Sequence, residues 1–239
     1  MLIPFDIKIA ALNNINQESG PYSILCRATD LKEYQLLPLA TKLLTDTELT
    51  IFQQRKSLMA QKEYIASRFL IKTLIAQHLN MPYQTIQVSF NHRINKLQAL
   101  VNNSPAAINI SLAHSKGWVF FAISDVRTSL GVDIEYKNCG RDILAVSEAF
   151  FHPNECEQLT QHSYEKFYQL WTLKESLAKA KAQSIFQLLG QDSQALLKKF
   201  RQNLGEYDNF QLAAIHNHEI NTMPCYLLDL AQALENHHE

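Results

Sequence analysis

Glycine and proline are scarce, at 6 and 7 of 239 residues, which excludes collagen-like and low-complexity chains. A hydrophobic share of 46% against 19% charged residues excludes a disordered one. The four cysteines, at 26, 139, 156 and 225, form no C-x-x-C pair and have no ligand-spaced histidines beside them. Neither a zinc site nor a disulfide framework is therefore expected, and reduced thiols are the reading. Neither charge sign is in excess: 22 Lys and Arg oppose 23 Asp and Glu, net −1. Whole-molecule attraction to nucleic acid is thus not expected, and any anion must be held by a local basic cluster. The longest apolar runs, such as Trp118–Ile123, fall far short of the ~20 residues that cross a bilayer. Met1–Asp6 has no basic stretch ahead of an apolar core, so a cytoplasmic protein is expected. His237 and His238 lie in a polar tail with no ligand spacing.

Periodicity places strands at Phe5–Leu12 and Tyr22–Ala28, then a helix over Leu31–Leu44 interrupted near Pro38. Thr45 with Glu48 is a capping-box pair opening a long helical stretch to Asn80, with room for one break. Strands follow at Ile86–Phe90, Leu97–Val101, Ile108–Leu112, Trp118–Ser124 and Ser129–Glu135. Helices return at Asp142–Phe151, Pro153–Leu159 and Tyr164–Lys181, then strands near Phe210–His216 and Pro224–Leu230. The pattern is α+β, with a boundary expected at Asp125–Thr128 that separates halves 1–125 and 126–239. No sequence repeat relates the two.

Three segments carry chemistry. In Leu130-Gly-Val-Asp133-Ile-Glu135, strand alternation puts the two carboxylates on one face, about 6.5–7 Å apart. Their repulsion is relieved by a hard divalent cation such as Mg²⁺, or left to solvent at a strand end. In Phe167–Lys179, Trp171, Glu175 and Lys179 follow at i, i+4 and share a helix face. That arrangement reads either as a surface ion pair worth ~0.2–0.5 kcal/mol or as a site facing inward behind the tryptophan. In Ile108–Trp118, His114 sits between strands and can contact an anion.

Together, Gly131-Val-Asp133-Ile-Glu135, Trp171-x-x-Lys174-Glu175-Ser-x-x-Lys179 and Asn109-Ile-Ser-Leu-Ala-His114-Ser115 resemble the ordered motifs of the 4'-phosphopantetheinyl transferases. The length resembles their larger monomeric, surfactin-synthetase-activating branch. The resemblance implies a pseudo-dimer of two similar α+β halves, each a helix on a small, mainly antiparallel sheet, with the site in the cleft between them. It implies transfer of the 4'-phosphopantetheine arm of coenzyme A to a serine of an apo acyl or peptidyl carrier protein, releasing adenosine 3',5'-bisphosphate. Asp133, Glu135 and Glu175 then hold Mg²⁺, with Mn²⁺ the alternative. Glu175 is the candidate base, Lys179 reaches the phosphates or the leaving group, and His114 contacts phosphate. Lys56, Arg68 and Lys96 correspond to nucleotide and 3'-phosphate contacts, within a basic set that includes Arg55 and Lys62.

Three departures stand out: Asn95-Lys96-Leu97 in place of Gly-Lys-Pro, Ala113 in place of a serine, and Ala182 in place of a glycine. Two rival readings remain, a Mg²⁺-dependent pyrophosphohydrolase of coenzyme A-like nucleotides and a non-catalytic coenzyme A or carrier-protein binding module.

Overall fold

A computed structural model describes residues 2–15, 20–159 and 164–235; the terminal His237 and His238 lie outside them. The first strands are short, β1 (Leu2–Pro4) and β2 (Ile7–Ile9), so the expected strand Phe5–Leu12 shrinks to Ile7–Ile9 and β1 precedes it. Next come β3 (Tyr22–Arg27) and helix α1 (Glu33–Leu43). Pro38 lies inside α1 without interrupting it, a correction to the sequence reading. The only acceptor its missing N–H leaves unused is the carbonyl of Tyr34, a residue 79% exposed, where water can serve.

The long helical stretch is two helices, α2 (Asp46–Gln53) and α3 (Leu58–Leu79). The capping box forms at α2: Glu48 Oε2 accepts from the Thr45 N–H at 2.9 Å and Thr45 Oγ from the Glu48 N–H at 3.4 Å. Ser57 caps α3 by accepting from the Ala60 N–H, and Asn80 ends it in the left-handed region. Then follow β4 (Ile86–Asn91), β5 (Lys96–Val101), β6 (Ser104–Pro105), β7 (Ile108–Ser115), β8 (Trp118–Asp125) and β9 (Leu130–Tyr136). The chain continues with α4 (Ile143–Phe150), α5 (Pro153–Leu159), α6 (Tyr164–Ala180), α7 (Ser193–Leu197), β10 (Arg201–Tyr207), β11 (Phe210–His216), β12 (Cys225–Leu228) and α8 (Leu230–Glu235).

Among the described residues these strands form a five-stranded sheet, β2-β12-β3-β8-β7, a four-stranded sheet, β1-β10-β11-β9, and a small β4-β5-β6 sheet. Each larger sheet contains a strand, a long helix and an antiparallel hairpin, with the hairpin's second strand in the middle: β3-β8-β7 with α3, and β9-β11-β10 with α6. The boundary at 125/126 needs correction at both ends. β1 pairs in parallel with β10, and β12 lies between β2 and β3, so each terminus completes the sheet of the other half.

The layers run helix, sheet, sheet, helix. In β8, Val119, Phe121 and Ile123 face α3, while Trp118, Phe120 and Ala122 face the second sheet. Both faces are dry, which is why this strand reads as an unbroken apolar run. In β11, Leu212 and Ala214 face the first sheet, and Ala213 and Ile215 face α6. Besides this apolar layer, hydroxyls join β7 to β9. Ser111 Oγ of β7 accepts from the Val132 N–H at 3.0 Å, and Ser115 Oγ accepts from the Tyr136 N–H at 3.2 Å, four residues further along both strands.

Each half also contains a buried glutamate–lysine pair. Glu48, opening α2, bonds Lys72 of α3 at 2.6 Å and accepts from the Val88 N–H of β4. Glu155, opening α5, bonds Lys174 of α6 at 2.8 Å and accepts from the Ser193 N–H beyond that helix. Burial depresses the pKa of both lysines and the carboxylates oppose it. In each case a charge on the long helix is tied to the short helix before it and the segment after it.

Candidate active site

Strand alternation turns Gly131, Asp133 and Glu135 of β9 towards α6, as their β11 partners Ile215, Ala213 and Gln211 show. Gly131 is where the helix comes closest. A Cβ there would lie 1.9 Å from the Ser176 carbonyl oxygen and 2.7 Å from the Ala180 nitrogen, so only glycine admits α6 at this distance. Ser176 Oγ donates to the Ala213 carbonyl at 3.1 Å and holds the helix axially. These contacts bring Glu175 and Lys179 over Asp133.

Lys179 does not pair with Glu175 one turn before it. Its Nζ donates to Asp133 Oδ1 at 2.9 Å and to the Val132 carbonyl at 3.0 Å. Of the two readings of this helix face, the surface i, i+4 pair gives way to a tertiary contact with Asp133. Asp133 is 3% exposed, and its other oxygen, Oδ2, is buried without a hydrogen-bond partner among the described residues. Burial raises the pKa of Glu175, reinforced by Asp133 and Glu135 against the opposing Lys179, to about 7. Burial also raises that of Glu135, again with Asp133, while Arg141 acts against it. Arg141 lies over the Trp171 ring at 4.7 Å, and that ring stacks on Phe167. Trp171 therefore belongs to an aromatic cluster flanking the carboxylates.

Three carboxylates face Lys179, with Arg141 acting on Glu135, and the unpartnered Asp133 Oδ2 offers a ligand atom to a cation. No group of three His, Cys, Asp or Glu among the described residues forms a ready-made cage. The set suits a hard cation such as Mg²⁺, which takes one or two carboxylates and completes its shell with water and phosphate oxygens.

The first half presents a cavity of about 500 Å³. Ala60, Glu63, Tyr64, Ser67 and Arg68 line it as one stripe of α3, opposite Phe90 and Leu97 of the β4–β5 hairpin. Arg68 lies over the Tyr64 ring at 4.2 Å and Arg55 at 5.1 Å. The Nε of each is buried without a hydrogen-bond acceptor among the described residues, although Glu48 stands 3.5 Å from that of Arg68. Two guanidiniums held in this way suit an anion.

His114 lines the same cavity and bonds Glu63 through Nδ1 at 3.0 Å. Lys56 and Lys96 differ. Lys56 is exposed in the turn between α2 and α3 and does not line the cavity; its neighbour Arg55 does. Lys96 opens β5 opposite Asn91, half-buried, and its neighbour Leu97 faces the cavity. A larger cavity, about 780 Å³, lies against α6 near Lys166, Leu173 and Lys198, and none of the three carboxylates lines it.

Sequence reasoning missed Glu63, whose partner is 51 positions away. It also preferred Lys56 to Arg55, where the phase of the turn decides.

Residues 129–238 match the family model of the 4'-phosphopantetheinyl transferase superfamily. It is similar to a putative 4'-phosphopantetheinyl transferase of Synechocystis sp., 27% identical over 63% of this chain and 61% of that one. It is also similar to the 4'-phosphopantetheinyl transferase HetI of Nostoc sp., 26% identical over 66% of this chain and 68% of that one. A third relative is the 4'-phosphopantetheinyl transferase gsp of Aneurinibacillus migulanus, 31% identical over 48% of this chain and 46% of that one. The matched stretch thus spans about three fifths of the first relative's length.

Proposed function

We propose that this chain transfers the 4'-phosphopantetheine arm of coenzyme A to a serine hydroxyl of an apo carrier protein, releasing adenosine 3',5'-bisphosphate. The observation that carries this is the packing of α6 on Gly131, which assembles Asp133, Glu135, Glu175 and Lys179 into one charged cluster. The cavity beside α3, with Arg55, Arg68 and His114, supports a phosphate-rich nucleotide as the other participant.

In the step we assign, the serine oxygen bonds to the phosphorus carrying the pantetheine arm. The bond from that phosphorus to the bridging oxygen breaks, and the bridging oxygen leaves on the adenosine bisphosphate. Asp133, Glu135 and Glu175 are the residues that would hold Mg²⁺ or Mn²⁺, which supplies charge neutralisation on the pyrophosphate when bound. Glu175 is the acceptor for the serine proton, directly or through water. Lys179, held to β9 by two hydrogen bonds, places its charge where it meets phosphate or leaving group without having to be ordered during the reaction. His114 and the two arginines bind and orient, their partners fixed beforehand by Glu63, Tyr64 and Glu48.

Incubation with coenzyme A, Mg²⁺ and a panel of apo carriers, read by intact-protein mass, tests the reading. A gain of one phosphopantetheine by a carrier is expected. Free 4'-phosphopantetheine without any carrier would instead mark a hydrolase, and unchanged coenzyme A a binding module.

A further inference from the structure

Building on the assignment of His114 to phosphate contact, we infer that Glu63 is a positioning residue. Its carboxylate takes the Nδ1–H of His114, fixing the tautomer and turning Nε2 towards the cavity. The two oxygens of Glu63 have separate tasks. Oε2 lies 3.0 Å from His114 Nδ1, and Oε1 accepts from the Gly117 N–H at 2.7 Å. The glutamate comes from α3 and both partners from the β7–β8 hairpin, so one side chain ties the cavity-lining helix to the strand end that carries the histidine.

The hairpin is built for that approach. Lys116 and Gly117 both have positive φ, 49° and 85°, in a two-residue turn. A Cβ at Gly117 would lie 2.7 Å from Thr29 Cγ2 and 2.9 Å from Met59 Sδ, so the turn is pressed against the start of α3. Glu63 is nearly buried, at 9%, while His114, which lines the cavity, is 47% exposed. Burial raises the Glu63 pKa, but the bonds from His114 and Gly117 outweigh it and the net direction is down, so the carboxylate stays ionised.

A histidine has two ring nitrogens, and whichever is engaged leaves the other for the ligand. A neutral imidazole free in water prefers its proton on Nε2. Beside Glu63 the acceptor faces Nδ1, so the proton sits there and Nε2 is the open position; when the ring is charged, Nε2–H is the donor left for a phosphate oxygen. The other charged or titratable groups lining this cavity are Arg55, Tyr64, Arg68 and His92.

The test is the ¹⁵N spectrum of His114 in the full chain without substrate, assigned with His114→Gln, for wild type and Glu63→Gln. The amide keeps the size but puts an NH2 donor in place of one oxygen, so with its carbonyl on the Gly117 N–H it turns a donor towards His114 Nδ1. We expect neutral His114 to carry its proton on Nδ1 in wild type and to move to Nε2 in Glu63→Gln. We expect the KM for coenzyme A to rise by ~3- to 10-fold in the variant with a smaller change in kcat. A wild-type spectrum with the proton on Nε2, or a tautomer unchanged by Glu63→Gln, overturns the inference, and the wild-type spectrum decides even if the variant does not fold. Because the spectrum needs no substrate, failure of this inference is distinguishable from failure of the transferase reading, which the carrier assay decides.

Discussion

At the residue scale, Glu175 is the side chain whose two roles separate most cleanly. Its pKa is raised by burial and Asp133 to about 7, above the ordinary 4.5, so its ionised form is disfavoured in the folded protein wherever the unfolded chain would ionise it. Glu175→Gln removes that cost. We therefore expect an unchanged or higher melting temperature at pH 8 in EDTA, a smaller difference in Mg²⁺, and transfer slower by ~10²-fold or more. Lower stability together with wild-type transfer would show that Glu175 is a structural partner.

His216 makes the opposite acid–base statement. It is fully buried at the end of β11, with neither ring nitrogen hydrogen-bonded among the described residues, and burial depresses its pKa from 6.5 to about 4. The folded state thus holds it neutral. Its contribution is intact above pH 6.5 and is lost as pH falls towards 4, by roughly 3 kcal/mol in all. In His216→Leu the urea midpoint should fall less between pH 7 and pH 4.5 than in wild type. Parallel pH profiles for the two proteins would remove His216 from acid unfolding.

At the scale of elements, α6 decides where the site forms. Gly131→Ala places a methyl group within 1.9 Å of the helix backbone, and backbone cannot yield as a flexible side chain does. We expect about 3 kcal/mol or more of destabilisation and loss of transfer together, measured by urea unfolding and carrier mass. Just beyond this contact the helix ends on a strained residue. Ala182 has φ 53°, the left-handed conformation of a helix C-terminal cap, with its N–H bonded to the Lys179 carbonyl and that of Gln183 to Ala178. The departure from glycine noted in the sequence therefore has a structural cost. Ala182→Gly should raise stability by about 0.5–1 kcal/mol, the left-handed penalty less the added freedom of the unfolded chain. A lower melting temperature would contradict this.

At the scale of the whole molecule, the halves are laced together. β12 stands between β2 and β3, so a strand from the C-terminal end of the chain is interior to the first half's sheet. Deleting residues 225–239 exposes the edges of both neighbours and removes buried Cys225, Leu228, Leu230 and Leu234 from the core. Truncation there should abolish cooperative unfolding of the first half, seen as exchange of the α3 amides within seconds. Retained α3 protection would show that the sheet closes without β12. No helix among the described residues is long and apolar enough to cross a membrane.

Much of this was legible in order and period. The capping pair Thr45–Glu48, the strand Phe210–His216 and the pairing of Asp133 with Glu135 on one face follow from local rules, because hydrogen-bond geometry repeats every two or every 3.6 residues. The family resemblance rested on motifs lying within single elements, and such motifs keep their spacing whatever the packing. What sequence could not reach is contact across distance. β10 was missed because Arg201–Tyr207 alternates weakly around Gly205, and the crossing of β1 and β12 depends on which sheet edge each terminus meets. Lys179 faced Glu175 by helix period and was drawn to Asp133 by burial, 46 positions away. The choice of Arg55 over Lys56, and of Glu63 for His114, was likewise made by the turn before α3 and by the packed hairpin. Chemistry was thus decided by residue types that the sequence displays, and pairing by a tertiary approach that no local period encodes.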